Sequence, residues 1–395
     1  MQVLLPIREA AKPGAPSRPS WRAFTEMGFR PLYLLGCAWA LVSVLLWIHA
    51  PGWLRGDMGG VFWHGHEMLW AFVGTIAVGF LLTAGGNWTG HNPLRGNALA
   101  ALCALWLVAR VAYLVPGRPA FWIATIADLV FFLWAAAALG RSVWRSRNKR
   151  NYGVPVMLLA LALTHLMYAI GVVRGDYLGL MRGLNAGLLS MAVLTLLIAR
   201  RIIPFFAGRA VAGLTIPPHT RSGHLQIAAG VIAIAMLLAG LNTLAALALA
   251  ASGVIALVQW LAWKPWAVRR VPLLWILYAG YLGLGIGLLV GAAHLAGAVA
   301  WGAWHVHTIG VAGFSVLIIG MVTRTALGHL GRPLRTDKSM VLSYLLILMA
   351  ALLRLAALWP QAPVVPLLHA SATAWALALG LYLWRFAPMM IRPRF

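Results

Sequence analysis

Twelve apolar runs, each about the length of one membrane crossing, follow one another along this chain. To within a few residues they lie at 29–49, 61–84, 97–115, 120–143, 153–173 and 180–203. The second half gives 222–240, 243–263, 272–295, 299–324, 338–358 and 363–385. About twenty apolar residues in helical form span the hydrocarbon core. A sequence that is 62% hydrophobic and only 10% charged lacks the polar residues needed to cover a soluble core. The expected fold class is therefore all-α, a polytopic membrane protein of about 12 transmembrane helices. Only the tight turn Gly240–Asn242 separates 222–240 from 243–263.

The formal net charge is +24, from 31 Lys+Arg against 7 Asp+Glu. Such a balance can signal nucleic-acid binding, but here the charges fall in short loops between apolar runs, so nucleic acid is excluded as a partner and the lipid bilayer is the expected one. All but six basic residues collect on one side, most of them in Arg141–Arg150, Arg200/Arg201/Arg209/Arg221, Lys264/Arg269/Arg270 and Arg324–Lys338. The other side keeps Arg55, Arg118, Arg174 and Arg182, with Arg110 and Arg354 near helix ends. The positive-inside rule then predicts a multi-pass protein of the bacterial inner membrane with both termini cytoplasmic. Residues 1–28, with Arg8, Lys12, Arg18 and Arg22 among prolines, read as a cytoplasmic tail, and 386–395 as another. Cys37 and Cys103 sit inside apolar runs without Cys-x-x-Cys spacing and read as small packing residues.

The first and last four runs echo each other. Trp63-His64-Gly65-His66 matches Trp304-His305-Val306-His307 at an offset of 241 residues. Pro93-Leu94-Arg95 matches Pro333-Leu334-Arg335, and Arg110 with Pro116 matches Arg354 with Pro360. Span 1 maps onto span 9, an even separation, so the copies share one orientation and form a parallel internal repeat. This predicts repeat A at about 29–143, an insert at 144–271 and repeat B at 272–385, within a membrane domain at 29–385.

Ionisable groups inside spans cost several kcal/mol each and normally have a task. His64, His66 and Glu67 open span 2, and His305 and His307 open span 10. Asp128 in span 4, His369 in span 12 and His294 at the end of span 9 lie at similar depth. Imidazole is the usual protein ligand for haem iron and for copper, so the group reads as a buried metal site. Without Cys-x-x-Cys-His, any haem is b-type. Residues i and i+2 of a helix point about 200° apart, so His64 and His66 are not expected to share one metal. The bland alternative is interfacial histidines beside tryptophans. Arg110 and Arg354 could clamp haem propionates, or snorkel to headgroups. Glu67 and Asp128 could relay protons, or orient a ligand imidazole. His165 in mid-span 5 is an isolated intramembrane imidazole and a further ligand candidate. His329, at the opposite end of span 10, could ligate haem or touch a quinone. Gly283, Gly287 and Gly291 read as a close helix-packing face.

Three ordered motifs resemble the NnrS family of membrane proteins, which is associated with nitric oxide and denitrification. The first is Phe62-Trp63-His64-Gly65-His66-Glu67-Met68 with Gly79–Ala84 and Asn87–Gly90. The second is Arg201-Ile202-Ile203-Pro204-Phe205-Phe206. The third runs from His305 through Met321-Val322-Thr323-Arg324 to Leu327–Pro333. The resemblance covers about Phe29 to the C-terminus. It implies a twelve-span protein containing haem and copper that protects against nitrosative stress, and it carries over to His64, His66, Glu67, His305 and His329. His307 departs from the family's pattern, where that position is usually apolar. The leading expectation is a haem b and copper protein that binds nitric oxide and reduces or removes it, as an oxidoreductase drawing electrons from a quinol. The competing expectation is a transporter or metal-handling protein in which the histidines are a transit site.

Overall fold

The computed structural model describes residues 18–299 and 303–394. Arg8 and Lys12 of the expected tail, and residues 300–302 of the expected start of span 10, lie outside them. Among the described residues eleven helices are long and apolar enough to cross a membrane, and a twelfth apolar helix is shorter. In chain order they are α1 Phe29–His49, α2 Gly60–Thr89, α3 Gly96–Ala112, α4 Arg118–Arg145, α5 Gly153–Arg174 and α6 Tyr177–Ala210. The second half adds α7 Thr220–Leu238, α8 Asn242–Ala262, α9 Pro272–Leu295, α10 Ala303–His329, α11 Lys338–Ala356 and α12 Val364–Met390. The chain is a polytopic all-α membrane protein. Its short member, α3, has 17 residues, at the lower limit for a crossing.

Several helices outrun their expected ends. α6 continues through Pro204 to Ala210, and α12 through Pro388 to Met390. Proline lacks only one backbone donor, and packed neighbours in a membrane bundle tolerate that loss. The turn between α7 and α8 forms because Gly240, at φ 77°, takes the left-handed conformation that closes α7.

Sequential helices pack against each other, and α12 returns to α1. Trp375 Nε1 of α12 donates to the Ala40 carbonyl of α1 at 3.2 Å, and Arg30 Nη1 donates to Met390 O at 3.0 Å. The most enclosed helix is α2, 89% buried over its apolar window, which places it at the centre. Both α2 and α10 change their winding after the His-x-His pair: Glu67–Gly74 and Thr308–Ser315 are π-helical. The two π segments begin 241 residues apart, the same offset as the histidine motifs, and pack against one another. The glycine face of α9 makes this possible. A Cβ at Gly283 would lie 2.2 Å from Ala312 O, and one at Gly287 2.6 Å from Ile309 Cγ1, so only glycine lets α10 approach so closely.

Candidate metal centre

His66 stands at the last α-helical position of α2 before the π segment, and Glu67 follows it. Both side chains are fully buried, as are His165 of α5, Arg110 of α3 and Asp128 of α4 (0, 0, 0, 1 and 2% exposed). Buried charges persist only when paired, and here one guanidinium serves both carboxylates. Arg110 Nη1 donates to Glu67 Oε2 at 2.6 Å, while Nη2 makes a shorter bond to Asp128 Oδ2. Trp39 Nε1 of α1 donates to the same Glu67 oxygen. The other oxygen, Oε1, accepts from His66 Nδ1 at 2.7 Å. Three donors thus converge on one carboxylate. Two carboxylates against one guanidinium leave the site one negative charge in excess.

These bonds orient an imidazole lone pair. With its proton on Nδ1, His66 presents Nε2, which is buried and has no hydrogen-bond partner among the described residues. Nε2 lies 3.6 Å from Asp128 Oδ2, and His165 Nε2 lies 3.8 Å from that same oxygen. One ligand atom each from His66, Asp128 and His165 fall within 4.8 Å of one another. Tyr113, at the end of α3, closes the site: its hydroxyl is 3.2 Å from both Thr125 Oγ1 and His165 Nε2. Trp70 and Tyr168 pack on the two imidazoles. A nitrogen, oxygen, nitrogen donor set with a carboxylate behind one imidazole can hold a first-row transition metal.

The remaining expected residues divide among separate places. His64, two residues before His66, points away from this centre as the helix period requires. It stacks on Trp47 of α1 at 5.5 Å and 13°. His307 donates from Nδ1 to Ala303 O at 2.8 Å. The segment that ends in His307 packs against α11, the helix of Arg354. His305 turns to the opposite side, stacks on His294 at 4.7 Å, and faces Asn185 Oδ1 of α6 at 2.7 Å from Nε2. His66 and His305, one from each His-x-His pair, are the buried members.

Three expectations need correction. Arg110 neither snorkels nor has its terminal nitrogens free for a propionate, because both are taken by Glu67 and Asp128. His165 is not isolated but one of the three converging ligands. His369 is exposed and meets His49 edge-on at 4.8 Å on the outside of α1 and α12, so it does not join the buried centre. His329 packs on Phe29 at 5.5 Å. It lies 24 residues beyond His305, about 36 Å along α10 at 1.5 Å per residue, at the opposite end of the helix. Trp39, Tyr113 and Asn185 went unnoticed in the sequence. Only Tyr113 left a trace, one turn after Arg110 on the same helix face.

No curated protein matches the chain. A family model described as NnrS protein matches residues 23–394, a stretch that includes every residue of the His66, Asp128 and His165 centre and all three sequence motifs, and so this membrane protein belongs to the NnrS family.

Proposed function

We propose that this chain is a haem b- and copper-binding protein of the bacterial inner membrane, with both termini cytoplasmic, that binds nitric oxide and reduces it. The observation that carries this reading is the convergence of His66, Asp128 and His165 in a fully buried site with an unpartnered Nε2 lone pair. Family membership supports a role in the nitric oxide response.

The residues fit a metal ion. His66 and His165 offer imidazole nitrogen and Asp128 offers carboxylate oxygen, a set suited to copper or iron. The excess negative charge left by Glu67, Asp128 and Arg110 favours a bound cation. For a haem, His64 and His307 would be the imidazole donors and Arg354 the arginine for a propionate. When bound, such a group would supply electron exchange and a coordination position for the gas.

The chain's own residues then do three things. His66, His165 and Asp128 hold the ion. Glu67 fixes the ring and tautomer of His66 by accepting its Nδ1 proton. Arg110 locks both carboxylates, so Asp128 stays in line with the two imidazoles. Nitric oxide is small and apolar enough to reach a site within the bilayer without a polar channel. Reducing two molecules of it takes two electrons, drawn from a quinol, and two protons, and yields nitrous oxide and water. Glu67 and Asp128 are the buried carboxylates through which protons could pass.

A transit site for a carried metal ion would need an opening beside its ligands, whereas these ligands are fully enclosed. Metal analysis and a reduced-minus-oxidised spectrum of the purified protein test the reading. Iron and copper with a b-type band support it. A colourless, metal-free protein, or a His66→Ala variant with unchanged metal content and spectrum, would overturn it. An anaerobic assay of nitric oxide consumption with a supplied quinol tests the reduction itself.

A further inference from the structure

Two of the sequence motifs, Arg201–Phe206 and Met321–Arg324, take no part in the histidine centre, yet the fold brings them together. Arg324 of α10 is buried, and its Cζ rests 3.8 Å above the ring of Phe206 of α6. Among the described residues it has no ion pair and no hydrogen-bond acceptor. The side chain is 9% exposed and its guanidinium nitrogens reach the surface, where an anion from outside the fold would offset its charge.

Beside it runs a groove between α1, α2, α6, α9 and α10, lined by residues that include Val73, Phe80, Ile198, Ile202, Ile318 and Met321. Thr195 is among its few polar side chains, and its hydroxyl is used by the Met191 carbonyl. Phe80, Ile202 and Met321 are only half-buried, so the groove opens sideways. It follows α6 from Met191 to Ile203, about 18 Å at 1.5 Å per residue, close to one leaflet's half of a hydrocarbon core about 30 Å thick. Arg324 stands one turn past Met321, and Phe206 one turn past Ile203. The cation therefore marks the groove's end, on the side where Arg200, Arg201 and Arg209 gather.

We propose that this groove holds one anionic phospholipid, its acyl chain along α6 and its phosphate at Arg324. Length, apolarity and charge each fit. A guanidinium pairs with phosphate through paired N–H donors, and basic pockets between transmembrane helices are where anionic headgroups bind. A quinone fits less well, because its neutral ring brings no counter-charge. At Arg324 that ring would also sit about 24 Å along α10 from Thr308, at 1.5 Å per residue, remote from the histidines.

Native mass spectrometry of the full-length protein, taken from nanodiscs of mixed phosphatidylglycerol and phosphatidylcholine, tests this directly. The wild type should retain one phosphatidylglycerol. Arg324→Gln should lower the bound fraction about tenfold or more, the scale of one charge-assisted contact. Ala199→Phe, which fills the groove, should do the same, while Arg385→Gln at an exposed arginine should not. A wild type that emerges without lipid, keeps phosphatidylcholine equally well, or carries a quinone instead would overturn the proposal. So would retention in the Ala199→Phe protein, which decides the matter alone if Arg324→Gln fails to fold.

Discussion

Glu67 accepts the Nδ1 proton of its own chain neighbour His66 at 2.7 Å, so the residue that orients the candidate ligand is the next one along α2. Removing the carboxylate's charge should leave His66 in place but free its ring and tautomer. Glu67→Gln should weaken metal affinity by about 10–100-fold, the usual effect of losing an outer-shell partner. His66→Ala or His165→Ala should abolish it at that centre. Metal content per mole of purified protein, with circular dichroism to verify the fold, measures both effects.

Arg110 bridges two carboxylates that have no access to water. Arg110→Leu leaves Glu67 and Asp128 buried beside each other without a cation, and should destabilise the protein by about 3–5 kcal/mol. Thermal unfolding in detergent gives the value. Replacing both carboxylates by amides in the Arg110→Leu background should recover part of the loss, since the cost lies in the uncompensated charge.

The contact between α9 and α10 offers a sharper steric comparison. Gly283→Val should cost about 1–3 kcal/mol or prevent folding, because its Cβ meets the Ala312 backbone. Gly310→Ala lies within the same π segment but has nothing within 4 Å of the added carbon, and should stay within about 0.5 kcal/mol of wild type. Equal effects at the two positions would contradict the tight approach of α9 to Thr308–Ser315.

Asp337 caps α11 outside the membrane and carries a pH dependence of known sign. Partial burial pushes its pKa up, but hydrogen bonds from Ser339, the Met340 N–H and Arg385 outweigh this, and the carboxyl ends below its ordinary 3.8. A depressed pKa stabilises the folded state above the unfolded value and loses that contribution as pH falls through the folded one. The protection factors of amides in the first turn of α11, corrected for the intrinsic exchange rate at each pH, should therefore fall below about pH 4 in the wild type. In Asp337→Asn this acid dependence should vanish.

A bound metal stabilises whatever state holds it. Chelation should lower the thermal midpoint by an amount equivalent to about 2.7 kcal/mol if the metal had stood at a hundred times its dissociation constant. The His66→Ala protein should be insensitive to the chelator.

The fold was largely legible in the sequence, because helix-spanning apolar runs are a local property that the bilayer enforces residue by residue. Each expected span corresponds to a helix, including α7 and α8, which a single left-handed glycine divides. Helix ends were less legible: Pro204 and Pro388 look like stops, and only neighbouring helices determine that they are not. His64 and His66 were rightly assigned to different surroundings, since the 3.6-residue period alone separates them. What the sequence could not specify was which helix stands opposite. Along α5 alone His165 stands isolated, and along α3 alone Arg110 reads as a headgroup arginine near the helix end. Only packing brings them to Asp128 and Glu67, from segments far apart in the chain. The same packing sends His369 and His329 elsewhere, although their residue type made them equal candidates. Composition and period decide that a chain crosses a membrane. The ligand set depends on rotation and proximity of whole helices, which the fit of side chains and glycine faces between them decides.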